Sequence, residues 1–251
     1  MGEITSKIIK AGALLEDSRR FVEMWEPLRS PQENLDAFRT RNLLGKRSRV
    51  RAEDVLAILR QRFVEPGPQV IAALKTLMGL PEAFRDACYF EAARNDHLLA
   101  HVSGHVLYQM RSKGWAKVAV EDVQKALLDD PPAPVVTRWG STTLTRVIHG
   151  HLSSLRDFGI LEGKAAKHIP PAHMTFGGFV YVLGRLRESS ASSHETVTSS
   201  VWRWWLLDDH QVRSLFLEAD REGVIRYSDA GSAVRIDWRA EGLEGLVHAV
   251  A

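Results

Sequence analysis

The chain has 251 residues and a formal net charge of only +2, with 45% hydrophobic and 25% charged residues. That balance is typical of an ordinary globular protein, and the length favours two domains. The single cysteine, Cys88, excludes an intramolecular disulfide framework, and no apolar run approaches the roughly 20 residues that a membrane-spanning helix needs. We therefore expect a soluble, cytoplasmic protein without membrane insertion.

The first 130 residues carry helical patterns and no strand-like alternation. Apolar residues from Leu14 to Trp25 recur at near-helical spacing, which predicts a helix within residues 1–29. The segment from Glu65 to Pro68 marks a break in these patterns. Further helical patterns cover residues 70–78, 81–94, 97–112 and 120–128. We expect an all-helical domain over residues 1–130.

Within this domain, the stretch from Ser30 to Phe63 predicts two helices joined by a short turn. Ser30 and Glu33 have the spacing of a capping box, and Pro31 suits the first helical position. Gly45 stands where a left-handed residue would end the first helix. The second helix is expected from about Arg51 to Phe63.

This helical hairpin concentrates the positive charge of the chain. Residues 39–62 hold eight basic and two acidic side chains, a net charge of +6, so the rest of the chain sums to −4. Side chains that neutralise phosphates release counterions whatever the base sequence, and arginine can hold a phosphate bidentately. The residues expected to bind such a polyanion are Arg39, Arg41, Lys46, Arg47, Ser48, Arg49, Arg51, Arg60 and Arg62. The alternative is a solvated hairpin whose arginines pair with acidic patches of the fold.

A proline-rich segment, Asp129 to Pro134, is the predicted linker, because three prolines in four residues cannot continue a helix. We place the second domain at residues 135–251. Its first helix is expected to be capped by Ser141 or Thr142 and to stop at Gly159, before a short hairpin. The later patterns are a helix over 176–187, a tryptophan-rich segment over 202–205 and a helix over about 209–222.

The start of the first helix in this second domain is a further candidate site. Free N–H groups and the dipole at a helix N-terminus attract phosphate, and hydroxyl groups bond its oxygens. Simple N-capping, for which one hydroxyl would suffice, is the alternative. On this ground, further residues join the set expected to bind a polyanion such as DNA, called here the DNA-binding set: Arg138, Ser141, Thr142, Thr143 and Arg146.

The clearest strand pair comes near the end of the chain. Residues 224–228 and 232–238 flank a turn with Gly231, and alternation sends Arg226 and Arg235 to the solvated face. A helix, a glycine and a hairpin form the layout of a winged helix. Residues 156–161 show a similar but short pattern of a helix end, a glycine and a strand start. We expect Arg226 and Arg235 to make a secondary DNA contact. The alternative is that they pair with carboxylates such as Asp237.

Sequence patterns for catalysis, metals and nucleotides are weak. His97, His101 and His105 recur at intervals of four, but no second cysteine and no HExxH arrangement accompanies them. The segment from Gly159 to Ala165 has three residues rather than four between its glycines, and alanine where a phosphate loop needs Ser or Thr. We expect no catalytic residues, no metal and no cofactor.

Several short motifs, in their order along the chain, resemble the signature of the BrxA family. Members of that family are small proteins of BREX bacteriophage-defence systems. The motifs that carry the resemblance are Asn42-Leu43-Leu44, Ser48, Arg51, Arg62-Phe63, Trp139 with Ser141-Thr142-Thr143, the run from Leu155 to Leu161, the segment from Phe179 to Leu183 and the hairpin from Gly223 to Ile236. Together they extend the likeness over nearly the whole chain.

The resemblance implies a mainly α protein with a NusB-like helical N-terminal domain, followed by a winged-helix-like α+β part with short hairpins. It also implies double-stranded DNA as the partner, no enzymatic activity of its own, and a setting in a defence system that methylates host DNA and blocks phage replication. Two other functions stay open. One is an assembly adaptor that docks onto larger BREX proteins, and the other is an RNA binder by analogy with NusB-like proteins.

Overall fold

The computed structural model describes residues 4, 12–190, 192–231 and 233–251. Over these residues the chain is mainly α-helical with a few short strands, which confirms the predicted fold class. The chain divides into two compact units. The first unit comprises Ala92–Met174 and Ser199–Asp209 with the described residues before Leu14, and the second comprises Leu14–Glu91, Thr175–Thr198 and His210–Ala251. The predicted linker lies inside the first unit, and the division into domains 1–130 and 135–251 stays a prediction.

Along the described chain, the helices are α1 (Leu15–Met24), α2 (Pro31–Thr40), α3 (Arg49–Leu59), α4 (Pro68–Leu77), α5 (Pro81–Asn95), α6 (His97–His101), α7 (Tyr108–Ser112), α8 (Val120–Asp129), α9 (Pro134–Arg138), α10 (Ser141–Asp157), α11 (Phe176–Arg187), α12 (Ser193–Val197), α13 (Asp209–Arg221) and α14 (Gly242–His248). Turns of π-helix, Arg60–Val64 and Val102–Leu107, continue α3 and α6, and a 3-10 helix covers Ser200–Trp205. The strands are β1 (Lys117–Val118), β2 (Lys167–His168), β3 (Ile225–Asp229) and β4 (Val234–Trp238), with β1 antiparallel to β2 and β3 antiparallel to β4.

In the second unit, the first three helices pack around Phe21 of α1. The ring centroid of Phe21 lies 4.7 Å from that of Phe38 on α2 and 6.3 Å from that of Phe63 in the π-turn after α3. The predicted capping box at the start of α2 is present: the Ser30 hydroxyl accepts from the Glu33 N–H, and the Glu33 carboxylate accepts from the Ser30 N–H. The ring contacts hold α1 against the α2–α3 hairpin.

Helix α11 lies at the centre of the second unit and is buried along nearly its whole length. Its Phe179 ring meets the Phe216 ring of α13 edge-on at 5.1 Å. A Cβ added to Gly184 would lie 2.8 Å from the Leu243 side chain of α14, so this glycine allows the two helices to approach closely.

A buried ionic group joins α11 to α5. The Glu91 carboxylate accepts hydrogen bonds from the Tyr181 hydroxyl and from the Arg185 Nε, both at 2.8 Å. Burial raises the pKa of Glu91 to about 7, although the Arg185 charge and the Tyr181 hydrogen bond act in the opposite direction. A carboxyl group in this environment binds its proton more tightly than in water.

The first unit is built around α6, its π-turn and α10. The buried His151 of α10 places Nδ1 2.9 Å from the Val147 carbonyl oxygen and Nε2 3.3 Å from the Asp96 carboxylate, and Asp96 also caps α6. In the π-turn, a Cβ on Gly104 would lie 2.7 Å from the Trp204 ring, so the 3-10 helix packs directly against the backbone there.

Three predicted elements differ from the structure. The helix expected within residues 1–29 begins at Leu15, after Leu14 at φ 55, and residues 1–3 and 5–11 lie outside the described part. The expectation of an all-helical first half is wrong, because β1 is a strand. The hairpin expected after Gly159 is a single bridge between Glu162 and His168, and β2 pairs with the distant β1. Two-residue strands are too short to show alternation in a sequence.

At the end of the chain, α13 is followed by Gly223 at φ 75 and then by the hairpin of β3 and β4. Tyr227 pairs with Ile236 in the register, and both side chains are buried. This is the predicted order of helix, glycine and hairpin. The descriptions of the two parts as NusB-like and winged-helix-like stay predictions.

Candidate nucleic-acid interface

The predicted basic cluster lies on and beside the loop that joins α2 to α3, residues 41–48, called here the basic loop. Asn42 lies in this loop with a left-handed backbone conformation, φ 47, and its hydrogen bonds close the loop. Its side-chain amide donates to the Lys46 carbonyl oxygen at 2.9 Å and accepts from the Lys46 N–H at 3.1 Å. The Gly45 N–H also donates to the Asn42 carbonyl oxygen at 2.7 Å, with Gly45 at φ 63. The loop is therefore closed by three hydrogen bonds among residues 42–46.

Helix α1 supports the basic loop from one side. The Asp17 carboxylate lies 2.5 Å from the Lys46 ammonium nitrogen. A Cβ added to Gly45 would lie 3.1 Å from a terminal guanidinium nitrogen of Arg20, which shows that Arg20 rests against the loop. Arg20 is exposed and extends the basic surface. Charge clustering along the sequence does not reveal Arg20, because Arg20 lies far from residues 39–62 in the chain, on a helix recognisable only by its apolar face.

A cleft of about 550 Å³ lies between the end of α2, the basic loop and the start of α3. Phe38 and Leu56 contribute to its apolar lining, and Glu53 is its acidic lining residue. The predicted site residues that the structure brings together around this cleft are Arg39, Lys46, Arg47, Ser48 and Arg49.

Some of the predicted cations are held in surface ion pairs. Arg39 lies 3.0 Å from Asp36 and 3.3 Å from Glu53, so it links α2 to α3 across the cleft. Arg60, in the π-turn, lies 3.2 Å from Glu65. All three pairs are exposed to solvent, so each contributes little to stability and can be exchanged for a phosphate at small cost.

Arg41, Arg47 and Arg49 differ from these. All three are exposed, and within the described part of the chain they form no ion pair. Arg49 also lies in the first turn of α3, which holds no acidic residue and is capped by the Ser48 hydroxyl. Cations at a helix N-terminus are disfavoured by the helix dipole, so this arrangement costs stability and produces a strongly positive local potential.

Two predicted members of the cluster are placed differently. Arg62 has only 4% of its surface exposed, since the π-turn directs it inward beside Phe63. It cannot reach a bound polyanion, and its inclusion in the DNA-binding set is corrected. Arg51 is half-buried and interacts within the protein.

The start of α10 does not follow the predicted capping. Gly140 is the N-cap residue, and no side chain caps this helix, so Ser141 and Thr142 are wrong as caps. Both hydroxyl residues are exposed within the first turn, and that turn contains no acidic residue. The predicted site residues at this helix are Arg138, Ser141, Thr142 and Arg146, all exposed, and Thr143, half-buried. They belong to the first unit, whereas the basic loop belongs to the second.

On the terminal hairpin, Arg226 and Arg235 are exposed as predicted. Arg235 Nε lies 2.9 Å from an Asp237 carboxylate oxygen, and Arg226 stands opposite Asp237 in the strand register. The carboxylate that would compete with a phosphate is therefore beside both arginines.

The rest of the described chain adds three findings. No group of three or more His, Cys, Asp or Glu residues among residues 4, 12–190, 192–231 and 233–251 is arranged to hold a metal ion. His101 and His105 stack at 4.8 Å, and His105 Nε2 lies 3.3 Å from Asp130. Of the helices that the structure describes, none has the length and apolar character to span a membrane.

Comparison with known proteins identifies a similar structure and a family. The structure resembles the crystal structure of an uncharacterized protein from Magnetospirillum magneticum, with a TM-score of 0.60, 17% identity, and coverage of 84% of this chain and 100% of that chain. At this identity the likeness concerns the fold alone. None of the curated proteins compared with the chain matches it. The family model of BrxA matches residues 4–177, which include the basic loop and the start of α10. The chain therefore belongs to the BrxA family and is a BREX-associated protein.

Proposed function

We propose that this protein is a non-enzymatic component of a BREX phage-defence system that binds double-stranded DNA through its basic loop. The observation that carries the proposal is the set of three exposed arginines, Arg41, Arg47 and Arg49, which form no ion pair within the described residues. Unpaired arginines bind phosphate without first losing a carboxylate partner, so the full gain from counterion release is available to them.

The other residues of the site hold these arginines in place. Asn42 closes the loop through Lys46, and Lys46 is itself held by Asp17. A loop that is ordered before binding loses less conformational entropy when a ligand binds. Arg20 and Arg39 extend the same surface on either side of the loop.

The chemistry of the cleft supports binding rather than a reaction. Its carboxylate, Glu53, is held 3.3 Å from the Arg39 guanidinium group in an ion pair. The groups directed at solvent around it are guanidinium groups, which stay protonated and serve as phosphate donors.

The experiment that tests the proposal compares ligands by fluorescence anisotropy at about 100 mM salt, within the range where phosphate contacts still dominate binding. The ligands are a 20-base-pair DNA duplex and a single-stranded RNA of the same length. We expect tighter binding to the duplex, and most of that affinity should be lost in the variant Arg41→Ala, Arg47→Ala, Arg49→Ala. A control variant with the same change in charge, Lys113→Ala, Lys117→Ala, Lys125→Ala, alters exposed lysines elsewhere and should retain binding. Preference for the RNA, or binding to neither ligand, would contradict the proposal.

A further inference from the structure

An apolar cleft of about 370 Å³ lies in the second unit, between the segment that follows α1 and helix α4. Trp25, Val64 and Ile71 contribute to its apolar lining, and its charged lining residues are the cations Arg29 and Lys75. No acidic residue among the described residues lines it. Its volume is near the lower end of the range for ligand sites, so this cleft, called here the α4 cleft, suits one large apolar side chain.

Apolar surface continues beside the α4 cleft on the loop that joins α1 to α2. Leu28 is fully exposed, and its neighbours in the chain, Pro27 and Arg29, both line the cleft. Met24, which precedes the lining residue Trp25, has 42% of its surface exposed. A small molecule confined to the cleft would leave these two exposed side chains in water. The surface therefore fits a longer ligand, such as a polypeptide segment.

The loop holds the backbone of Leu28 in a defined conformation. The buried Asn34 side chain accepts from the Glu26 N–H and donates to the Glu26 carbonyl oxygen, both at 2.9 Å. It also donates to the Arg29 carbonyl oxygen at 3.3 Å. The Arg29 N–H donates to the Glu26 carbonyl oxygen at 3.1 Å, which closes a turn over residues 26–29. A loop that is ordered before binding loses less conformational entropy when a partner covers it.

The charges at the α4 cleft favour an acidic ligand. Lys75 is half-buried, and within the described part of the chain it forms no ion pair. Its ammonium group donates to the Glu23 carbonyl oxygen at 3.4 Å, a long bond that leaves further N–H groups for a ligand. Arg29 pairs with Glu26 at 2.8 Å in an exposed ion pair, which a ligand carboxylate can replace at small cost.

We propose that the α4 cleft and Leu28 form a docking surface for an acidic segment of a protein partner. One large apolar side chain of that segment fills the cleft, a second packs against Leu28, and a carboxylate pairs with Lys75. A buried apolar anchor with polar contacts at its edge is the usual arrangement of protein interfaces. The inference does not depend on the proposed binding of DNA, because the α4 cleft shares no residue with the basic loop.

The test uses the full chain and the fluorescein-labelled peptide Asp-Asp-Trp-Leu-Asp-Asp, with binding measured by fluorescence anisotropy at about 100 mM salt. Two control peptides, Lys-Lys-Trp-Leu-Lys-Lys and Asp-Asp-Ser-Ser-Asp-Asp, lack the acidic groups and the apolar groups respectively. The wild type should bind the first peptide at concentrations below about 1 mM, and it should bind both control peptides more weakly by about tenfold or more.

Variants of the protein locate the site. Leu28→Ala should lower the affinity for the first peptide about tenfold, because most of an aliphatic contact is lost. Lys75→Ala should lower it about fivefold, as expected when one ion pair in water is lost. The matched controls Leu217→Ala and Lys125→Ala alter exposed residues of the same two types elsewhere and should retain the affinity.

The remaining outcomes are equally specific. The variant Arg41→Ala, Arg47→Ala, Arg49→Ala should lose duplex DNA and retain the peptide, so failure of either proposal leaves the other standing. Absence of peptide binding up to about 1 mM, or equal binding of all three peptides, would overturn the docking surface. So would an unchanged affinity in Leu28→Ala and Lys75→Ala. A wild type that sediments as a dimer, and that Leu28→Ala converts to a monomer, would show that a second copy covers this surface instead.

Discussion

The Lys46 ammonium nitrogen lies 2.5 Å from the Asp17 carboxylate, so the basic loop is tied to α1 by a pair whose two side chains are less than one quarter exposed. This pair brings a negative charge to the edge of a surface that we propose binds phosphate. The pair joins the loop to the same helix that places Arg20 beside Gly45, so we expect it to order the loop. The BrxA-family chain thus holds part of its positive charge in an ion pair, and we propose that the rest is available to DNA.

Removal of the Asp17 charge tests whether the Lys46–Asp17 pair serves the structure of the loop rather than the binding of DNA. Asp17→Asn should raise the affinity for duplex DNA by up to about fivefold at low salt, because two charges about 4 Å apart interact by ~1 kcal/mol in water. The free energy of unfolding should fall by about 1 kcal/mol or less. Titration by fluorescence anisotropy and urea denaturation measure the two effects. Glu218→Gln, an exposed change on α13, serves as the control, and a lower affinity in Asp17→Asn would show that the pair is needed for binding.

The closure of the basic loop by Asn42 gives a second prediction. Asn42→Ala loses two side-chain hydrogen bonds and leaves at φ 47 a residue that tolerates the left-handed conformation less well than asparagine, so it should lower the free energy of unfolding by about 2 kcal/mol. Asn42→Gly loses the same bonds without the backbone strain and should cost about half as much. Equal losses in the two variants would show that the left-handed conformation is not what selects asparagine here. Urea denaturation distinguishes the cases.

The raised pKa of Glu91 predicts how stability depends on pH. Its folded pKa of about 7 lies above its ordinary value of 4.5. Between these values the folded state binds more protons than the unfolded state, so the contribution of Glu91 to the free energy of unfolding is greatest below pH 4.5 and falls as the pH rises to about 7. The stability difference between the wild type and Glu91→Gln should therefore decrease over this range and stay level above it. A difference that grows with pH would mean that Arg185 outweighs burial.

The uncapped start of α10 predicts a second phosphate contact. Arg138→Ala with Arg146→Ala should reduce the salt slope of DNA binding by one to two units, at about one unit for each lost contact, with little loss of stability. The hydroxyl variant Thr142→Val should weaken binding without changing the melting temperature, since no side chain caps this helix. An unchanged slope and affinity would limit DNA contacts to the second unit.

The local signals in the sequence were sufficient for many elements of the fold. The capping box of Ser30 and Glu33 and the bounds of α11 are confirmed, because each depends on residues close together in the chain. The pairing of β1 with β2 could not be predicted, since it joins two-residue strands about 50 positions apart. The π-turn that buries Arg62 could not be predicted either, because the sequence of a basic segment does not distinguish a buried arginine from an exposed one.

The same limits apply to the candidate site. Concentrated charge directed the prediction to residues 39–62, and the loop in this segment contains Asn42 and Gly45 in left-handed conformations. Sequence alone could not show which cations are paired, since the partners Asp17 and Asp36 lie on two different helices. It also could not show Arg20 at the loop, because that contact exists only once α1 has packed against α2 and α3.

The most direct test of the account is the salt dependence of duplex DNA binding between 50 and 200 mM salt, compared between the wild type and the variant Arg41→Ala, Arg47→Ala, Arg49→Ala. If about five phosphates are contacted, log K should fall with log salt at a slope of roughly −4 to −5 in the wild type. Loss of three contacts should reduce the slope to about −2 in the triple variant, with an unchanged helical circular-dichroism signal. A wild-type slope near zero, or the same steep slope in both proteins, would contradict the claim that these three arginines carry the interaction with DNA.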